Sequence, residues 1–85
     1  MTRWEYLTVV PVHSFIEISH RQTQQIYDLI RRCFPQVKKV KMGDGQVHYD
    51  WIYIPDLFDA LGADGWELVH IDNNKGVHTF KRPTS

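Results

Sequence analysis

Apolar and polar positions alternate with a period of two at the start of the chain, as is typical of a half-buried strand. Residues 3–12 are rich in β-branched and aromatic side chains and predict a strand. Pro11 lacks an amide donor, so we expect pairing to weaken there or the strand to lie at an edge. Residues 13–18 either continue this extended structure or form a bridge.

The period changes to that of a helix in residues 19–34, where apolar side chains follow i, i+3, i+4, i+7 spacing. Ser19 and Gln22 fit a capping box at the start of this helix, and Pro35 predicts its end. Cys33 falls on the apolar stripe. We therefore expect its thiol to be buried and inert.

Residues 37–54 predict a hairpin with Gly-Asp-Gly at its tip, because paired glycines supply the positive φ angles that a tight reversal needs. Residues 54–62 predict a short helix that begins with Pro55 in its first turn. Its apolar positions again show helical spacing, and Gly62 is the expected left-handed residue at its C-terminal end.

Residues 66–71 and 77–82 predict a final hairpin around a loop from Asp72 to Gly76. A five-residue loop places Leu68 opposite Phe80, whereas an even-numbered loop gives the poorer pair of Leu68 with Thr79. The preferred register also has Glu67 opposite Lys81, Val69 opposite Thr79 and His70 opposite His78. One face of this hairpin would then hold Trp66, Leu68 and Phe80, and the other would hold Val69, Ile71 and Val77.

Together these elements predict one small α+β domain over residues 1–85, since a chain of 85 residues supports a single core. We expect an antiparallel or mixed sheet of about four to five strands with two short helices mainly on one face. Two short helices cannot cover both faces of such a sheet. An apolar second face is a common subunit interface, so the pattern predicts a homo-oligomer.

The net charge is zero with histidine neutral, which argues against a general nucleic-acid-binding protein because these usually carry a basic surplus. The charges are nevertheless segregated along the chain. Residues 31–41 contain only basic charges, and residues 44–72 contain only acidic ones. The basic part could hold an anion or meet the acidic part of a second copy. Ordinary solvated surface explains the same pattern equally well.

Three stretches resemble a known family: WEYLTVV near the start, LFDALGADGWELV in the second half, and FKRP at the end. They are similar to a small bacterial and phage family of unknown function, number 4177 in the domain-of-unknown-function series. The resemblance covers residues 3–12 and 55–83 and implies that residues 13–54 are a helix-plus-hairpin insertion relative to the family core. No catalytic residue transfers from it, and a specialised function would most plausibly reside in the insertion.

The basic segment suggests a site for phosphate or another anion, with nearby aromatic rings able to stack on a base. The candidate ligand-binding residues are Arg31, Arg32, Lys38, Lys39, Lys41, Tyr49, Trp51 and Tyr53. A helix C-terminus is the wrong end of the helix dipole for an anion, so solvated surface is the slightly favoured interpretation of the basic residues.

The other reactive side chains suggest no catalytic or metal site, and no cofactor is implied. The histidines, His13, His20, His48, His70 and His78, lack the spacing of a zinc site. His70 and His78 could meet across the hairpin and bind a metal, although polar positions at a sheet end are the favoured interpretation. No nucleophile, base and acid can be assigned together from spacing alone.

Three classes of function follow. The first is a non-enzymatic, oligomeric binding protein for a small anionic ligand; a nucleotide is one candidate, as in a phage protein that sequesters a nucleotide signal. The second is a protein–protein interaction adaptor that uses an apolar sheet face or edge, and the third is an enzyme of unknown type. A lone cysteine, the lack of an apolar leader and the lack of about 18 consecutive apolar residues predict a cytoplasmic protein with no membrane partner.

Overall fold

The computed structural model describes residues 3–12, 14–43 and 45–84. Its elements are β1 (Trp4–Val12), β2 (Phe15–Ser19), α1 (Thr23–Cys33), β3 (Lys39–Gly43), β4 (Gln46–Asp50), α2 (Ile54–Ala63), β5 (Glu67–Asp72) and β6 (Val77–Pro83). The strands form one antiparallel sheet in the order β3-β4-β2-β1-β6-β5. The α+β class is confirmed. The expected strand number is too low, because β2 is a full strand among the six described.

The register places the buried side chains of the sheet on one face, where Leu7 lies opposite Phe80 and Val9 lies opposite Ile18. Both helices add to the same core. The buried helix residues are Ile26, Leu29 and Ile30 of α1 and Leu57 and Leu61 of α2. Fully burying an aliphatic side chain stabilises the fold by about 1.5–3 kcal/mol. The helices therefore pack on one face of the sheet, and the opposite face exposes Trp4 and Tyr6.

Pro11 stands where the sheet needs no amide donor. The pairing of β1 with β6 extends only to Val9, opposite His78, whereas the pairing with β2 continues to Val12. The Thr84 amide donates to the Arg3 carbonyl oxygen at 2.9 Å, so odd-numbered residues of β1 direct their backbone groups toward β6. An amide at position 11 would therefore point toward β6, where no strand pairs with it, so the missing N–H of Pro11 costs no hydrogen bond. Pairing with β2 continues past Pro11, so the structure matches the second expectation: β1 is an edge there, on its β6 side.

The start and end of α1 differ from the sequence-based prediction. Ser19 is the last residue of β2, and the helix begins at Thr23 with no side-chain hydrogen bond from its N-cap residue, Gln22. The predicted capping box is therefore wrong. Cys33 is exposed, so its predicted burial is also wrong. The buried stripe ends at Ile30, and the last turn extends beyond the core.

The corner after α2 is built by a different glycine from the one predicted. Gly62 lies inside the helix without a positive φ, whereas Gly65 has a φ of 93°. The Gly65 amide donates to the Gly62 carbonyl at 3.0 Å, and the Trp66 amide donates to the Leu61 carbonyl at 2.9 Å. These two bonds form a Schellman motif. Because α2 continues through Ala63, the assignment of Gly62 as the left-handed residue is wrong.

The β5–β6 hairpin begins in the predicted register and then shifts. The Leu68–Phe80 pair forms, but a bulge before His70 places that residue opposite Thr79 and places Ile71 opposite His78. The predicted pairing of His70 with His78 is therefore wrong. Because the bulge changes the side to which Ile71 points, the predicted apolar face of Val69, Ile71 and Val77 is not a single face. Self-association remains a prediction.

The β3–β4 hairpin closes with Gly43 opposite Gln46. Gly45 has a φ of 81°, in agreement with the predicted glycine-dependent reversal. Asp44, the middle residue of the predicted tip, lies outside the described residues, as does His13. Within the described ranges, neither helix has the length and apolar character needed to cross a membrane.

Candidate anion-binding site

A cleft of about 190 Å³ opens between the second half of α1 and strands β3 and β4. Its lining residues are Tyr27, Ile30, Arg31, Pro35, Val37, Lys39 and Tyr49. The Val37 amide donates to the Phe34 carbonyl at 3.1 Å, and the Asp50 amide donates to the Lys38 carbonyl at 3.0 Å. These bonds hold the α1–β3 connection against the end of β4. We call this space the Tyr49 cleft.

Tyr49 is the buried polar residue of this cleft. Its side chain is 1 % exposed, and its hydroxyl has no hydrogen-bond partner among the described residues. Burial raises the pKa of the Tyr49 hydroxyl above its ordinary value, with smaller contributions from Tyr27 and Asp28. The hydroxyl therefore stays protonated at neutral pH and can donate. Leaving such a group unpaired costs about 1–3 kcal/mol, which a ligand oxygen could recover.

Two cations line the same cleft. Lys39 lies opposite Tyr49, and its Nζ is 4.8 Å from the centre of the Tyr27 ring. Arg31 approaches from the last turn of α1. One acidic residue acts against this positive charge, because Asp28 is among the groups that raise the pKa of Tyr49. Two cations and a neutral hydroxyl donor nevertheless suit an oxyanion.

The structure separates the other predicted ligand residues from the Tyr49 cleft. Arg32 approaches a carboxylate oxygen of Asp64 at 3.9 Å, and Lys41 lies opposite His48 on the far face of the sheet. The remaining predicted residues, Lys38, Trp51 and Tyr53, are exposed and do not line the cleft. The buried ring of Tyr49 offers no face for stacking. The structure thus brings Arg31, Lys39 and Tyr49 together, and the role of the whole predicted set stays a prediction.

A second, larger cleft of about 500 Å³ lies at the start of β1, and the sequence reasoning missed it. Its lining residues are Arg3, Trp4, Glu5, Tyr6, His20, Arg21, Gln22 and Thr84. We call it the β1 notch. The sequence signal for this cleft was Arg3 beside the aromatic residues Trp4 and Tyr6 of β1. The sequence could not indicate that Arg21 joins them, because the path of the chain after β2 brings it there.

A network of charged groups closes the inner side of the β1 notch. Arg82 donates to Glu5 at 2.6 Å and to the Asp64 carboxylate at 2.7 Å, and its guanidinium lies 4.3 Å from the centre of the Trp66 ring. His20 is buried, and its Nε2 lies 3.2 Å from the other oxygen of Glu5.

Both ring nitrogens of His20 are used within this network. Its Nδ1 lies 3.0 Å from the Gln22 amide nitrogen and 3.1 Å from the Gln22 carbonyl oxygen, and its Nε2 lies 3.2 Å from a Glu5 carboxylate oxygen. Neither nitrogen is left to act as a base toward a substrate. The network therefore joins the end of β2 to α2 and β6 as a structural contact.

Among the described residues, no group of three or more histidine, cysteine, aspartate or glutamate side chains is arranged to hold a metal ion. His78 lies instead against the ring of Phe58, with 5.2 Å between ring centres.

Comparison of the chain with protein-family models, with curated proteins and with solved structures found no match. The resemblance to the small bacterial and phage family accordingly remains a prediction. The geometry of the Tyr49 cleft and the β1 notch is the basis for the functional argument.

Proposed function

We propose that this protein binds a small oxyanion, of the size of one phosphate group, in the Tyr49 cleft. The observation that carries the proposal is that Tyr49, whose hydroxyl is buried without a partner among the described residues, lines a cleft together with two cations. A phosphate oxygen would accept from this hydroxyl, while Arg31 and Lys39 would neutralise the charge.

The size of the cleft restricts the ligand. Sites for drug-sized molecules usually measure about 300–1,000 Å³, and the Tyr49 cleft measures about 190 Å³. A free phosphate fits this volume. A nucleotide would place one phosphate inside and keep its sugar and base outside.

The residues that line the cleft favour ligand binding over catalysis. Its polar side chains belong to arginine, lysine and tyrosine; none of the described lining residues is a carboxylate, histidine, serine or cysteine. General acid–base catalysis normally needs a group that exchanges a proton near neutral pH. The raised pKa of Tyr49 removes its hydroxyl from that role. We therefore propose a binding protein in preference to an enzyme.

The interaction-adaptor class is retained as a second candidate function. Trp4 and Tyr6 are exposed on the sheet face that the helices do not cover. Such exposed aromatic side chains are enriched at protein interfaces. Self-association through this face would give the homo-oligomer predicted from the sequence.

Isothermal titration calorimetry with inorganic phosphate and with adenosine monophosphate tests the proposed function. We expect both to bind the wild-type protein, because both present one phosphate group. Lys39→Gln and Arg31→Gln should each weaken binding about twofold to fivefold, the usual effect of removing a cation near an exposed site.

Lys75→Gln is the matched control, because Lys75 is an exposed cation in the β5–β6 turn. It should bind phosphate like the wild type. The proposal is overturned if about 10 mM phosphate gives neither heat nor a rise in melting temperature, since a bound ligand must stabilise the folded state. Equal affinity in wild-type, Lys39→Gln and Arg31→Gln proteins would also overturn it.

A further inference from the structure

The first residues of β1 have a strand on only one side. The pairing of β1 with β6 begins at Trp4, opposite Pro83, whereas the pairing with β2 begins only at Thr8, opposite Ser19. On the β2 side, no described strand pairs with residues 4–7. An unpaired strand edge presents backbone donors and acceptors to any chain that can align with it.

The direction of the unpaired groups can be derived from one hydrogen bond. The Thr84 amide donates to the Arg3 carbonyl, so Arg3 directs its backbone groups toward β6. Alternate residues of an antiparallel strand direct these groups to opposite sides. Trp4 and Tyr6 therefore direct their N–H and C=O groups away from β6 and into the β1 notch.

We infer that the β1 notch binds an extended, acidic segment of a partner protein, which adds to β1 as a short strand. The open edge spans the four residues 4–7, about 13 Å at the usual rise of a strand. The notch has a volume of about 500 Å³, within the usual range of binding sites. Main-chain pairing of this kind gives affinity, while the neighbouring side chains select the sequence.

The charges of the notch determine the chemistry of the segment. Arg3 and Arg21 line it and form no ion pair with a described acidic residue. The carboxylate of Glu5 is already bound by Arg82 and by His20. The side chains left to interact are therefore basic, and they complement a segment that carries aspartate or glutamate.

The exposed rings make a peptide a better fit than a small ion. Trp4 and Tyr6 lie on the same sheet face, two residues apart, and the Lys81 Nζ is 4.1 Å from the centre of the Trp4 ring. An added strand would project alternate side chains onto this face, next to the two rings. A single small ion cannot use backbone groups that are spaced along a strand.

The test uses a blocked hexapeptide of alternating valine and aspartate as the probe, with NMR observation of the backbone amides. In the free protein we expect the Tyr6 amide to exchange rapidly with solvent and the Leu7 amide to exchange slowly, because Leu7 faces β6. Saturating peptide should slow exchange at Tyr6 about tenfold or more. The same peptide N-methylated at alternate amides should not bind.

A double charge reversal, Arg3→Glu with Arg21→Glu, tests the selectivity. Both residues are exposed, and retention of the native amide spectrum verifies that the variant folds. It should bind the aspartate peptide about tenfold more weakly and prefer a valine–lysine peptide, while Lys75→Glu should behave like the wild type.

Three results would overturn the inference. The first is no binding of the aspartate peptide at millimolar concentration. The second is binding that leaves Tyr6 exchange unchanged or that tolerates N-methylation. The third is protection of Tyr6 that rises with protein concentration alone, which would assign the edge to a second copy. None of these results bears on phosphate binding in the Tyr49 cleft.

Discussion

The structure treats two sets of polar side chains beside α1 in opposite ways. The charged groups of Glu5, His20, Asp64 and Arg82 are joined by short hydrogen bonds and ion pairs, and this network contacts α1 through Gln25 and Arg32. Near the last turns of α1, the Tyr49 hydroxyl is buried with no described partner. Both arrangements lie at an edge of the same core.

This difference distinguishes a network that stabilises the fold from a cleft that is a candidate ligand-binding site. A buried polar group is normally hydrogen-bonded, and one that is not calls for an explanation such as a missing ligand. The four charged groups of the network satisfy one another without a ligand, although the Trp66 Nε1 beside them is also buried without a described partner. A ligand would satisfy the Tyr49 hydroxyl, so the comparison predicts that mutations in the network and in the Tyr49 cleft will act on different properties.

The largest effect is expected when the paired network is broken. Arg82→Met removes the cation that bonds both Glu5 and Asp64 and packs on Trp66, leaving His20 beside Glu5 and Arg32 at 3.9 Å from Asp64. Removing one partner of a largely buried ion pair leaves an uncompensated charge, so we expect unfolding free energy to fall by about 3 kcal/mol. Urea denaturation measures this. A loss below about 1 kcal/mol would mean that the network is solvent-screened like a surface pair.

The corner beside this network gives the next largest effect. Gly65→Ala should reduce the unfolding free energy by about 1–2 kcal/mol, because its φ is 93° and a Cβ would approach the Arg82 Cδ at 3.3 Å. Gly62→Ala is the matched control in the same segment. It should stabilise by about 0.5–1 kcal/mol, since a helical glycine with open space gains from a side chain. Reversed signs would restore Gly62 as the left-handed residue.

The unpaired hydroxyl of Tyr49 predicts a specific dependence of stability on alkaline pH. Because burial raises the pKa of Tyr49 above its unfolded value of about 10, the folded state holds this proton more tightly. The resulting stability is fully present below pH 10 and is lost as pH rises beyond it. Tyr49→Phe should lack this part of the decline, which urea melts across pH 9–11 can measure. If the unfolding free energies of the two proteins fall in parallel between pH 9 and pH 11, the burial of the Tyr49 hydroxyl is contradicted.

The smallest effect is expected at Cys33, in the last turn of α1. Its exposure predicts that Cys33→Ser changes the unfolding free energy by less than about 0.5 kcal/mol. It also predicts that the native protein reacts with Ellman's reagent as fast as the urea-unfolded protein, which a stopped-flow assay can follow. Slow reaction in the native state would place the last turn of α1 in the core.

Periodicity was sufficient to predict most elements, because the chain shows the two-residue and 3.6-residue patterns directly. It was not sufficient for β2, which follows a proline in a segment too short to distinguish a strand from a bridge. The bulge between Leu68 and His70 has no sequence signal, since an inserted residue leaves both flanking patterns intact. Gly62 and Gly65 are equally able to adopt a positive φ, and only the length of α2 decides which of them does so.

The candidate site was less predictable than the fold. Strand alternation alone would place Lys39 and Lys41 on one face, but the bulge between them directs them to opposite faces. The alternation of β4 did indicate that Val47 and Tyr49 share a face, but not that the strand ends before Trp51. The contact of Glu5 with Arg82 joins residues far apart in the chain, which no local pattern can reveal.

The most direct test of the account is the unfolding free energy of wild-type and Tyr49→Phe proteins, each with and without inorganic phosphate. Without phosphate, the variant should be more stable by about 1 kcal/mol, because it loses a buried hydroxyl that has no partner. With phosphate, the wild type should gain more stability than the variant, because only the wild type donates a hydrogen bond to the anion. A variant that is less stable without phosphate, or that gains as much from phosphate as the wild type, would contradict the role of Tyr49.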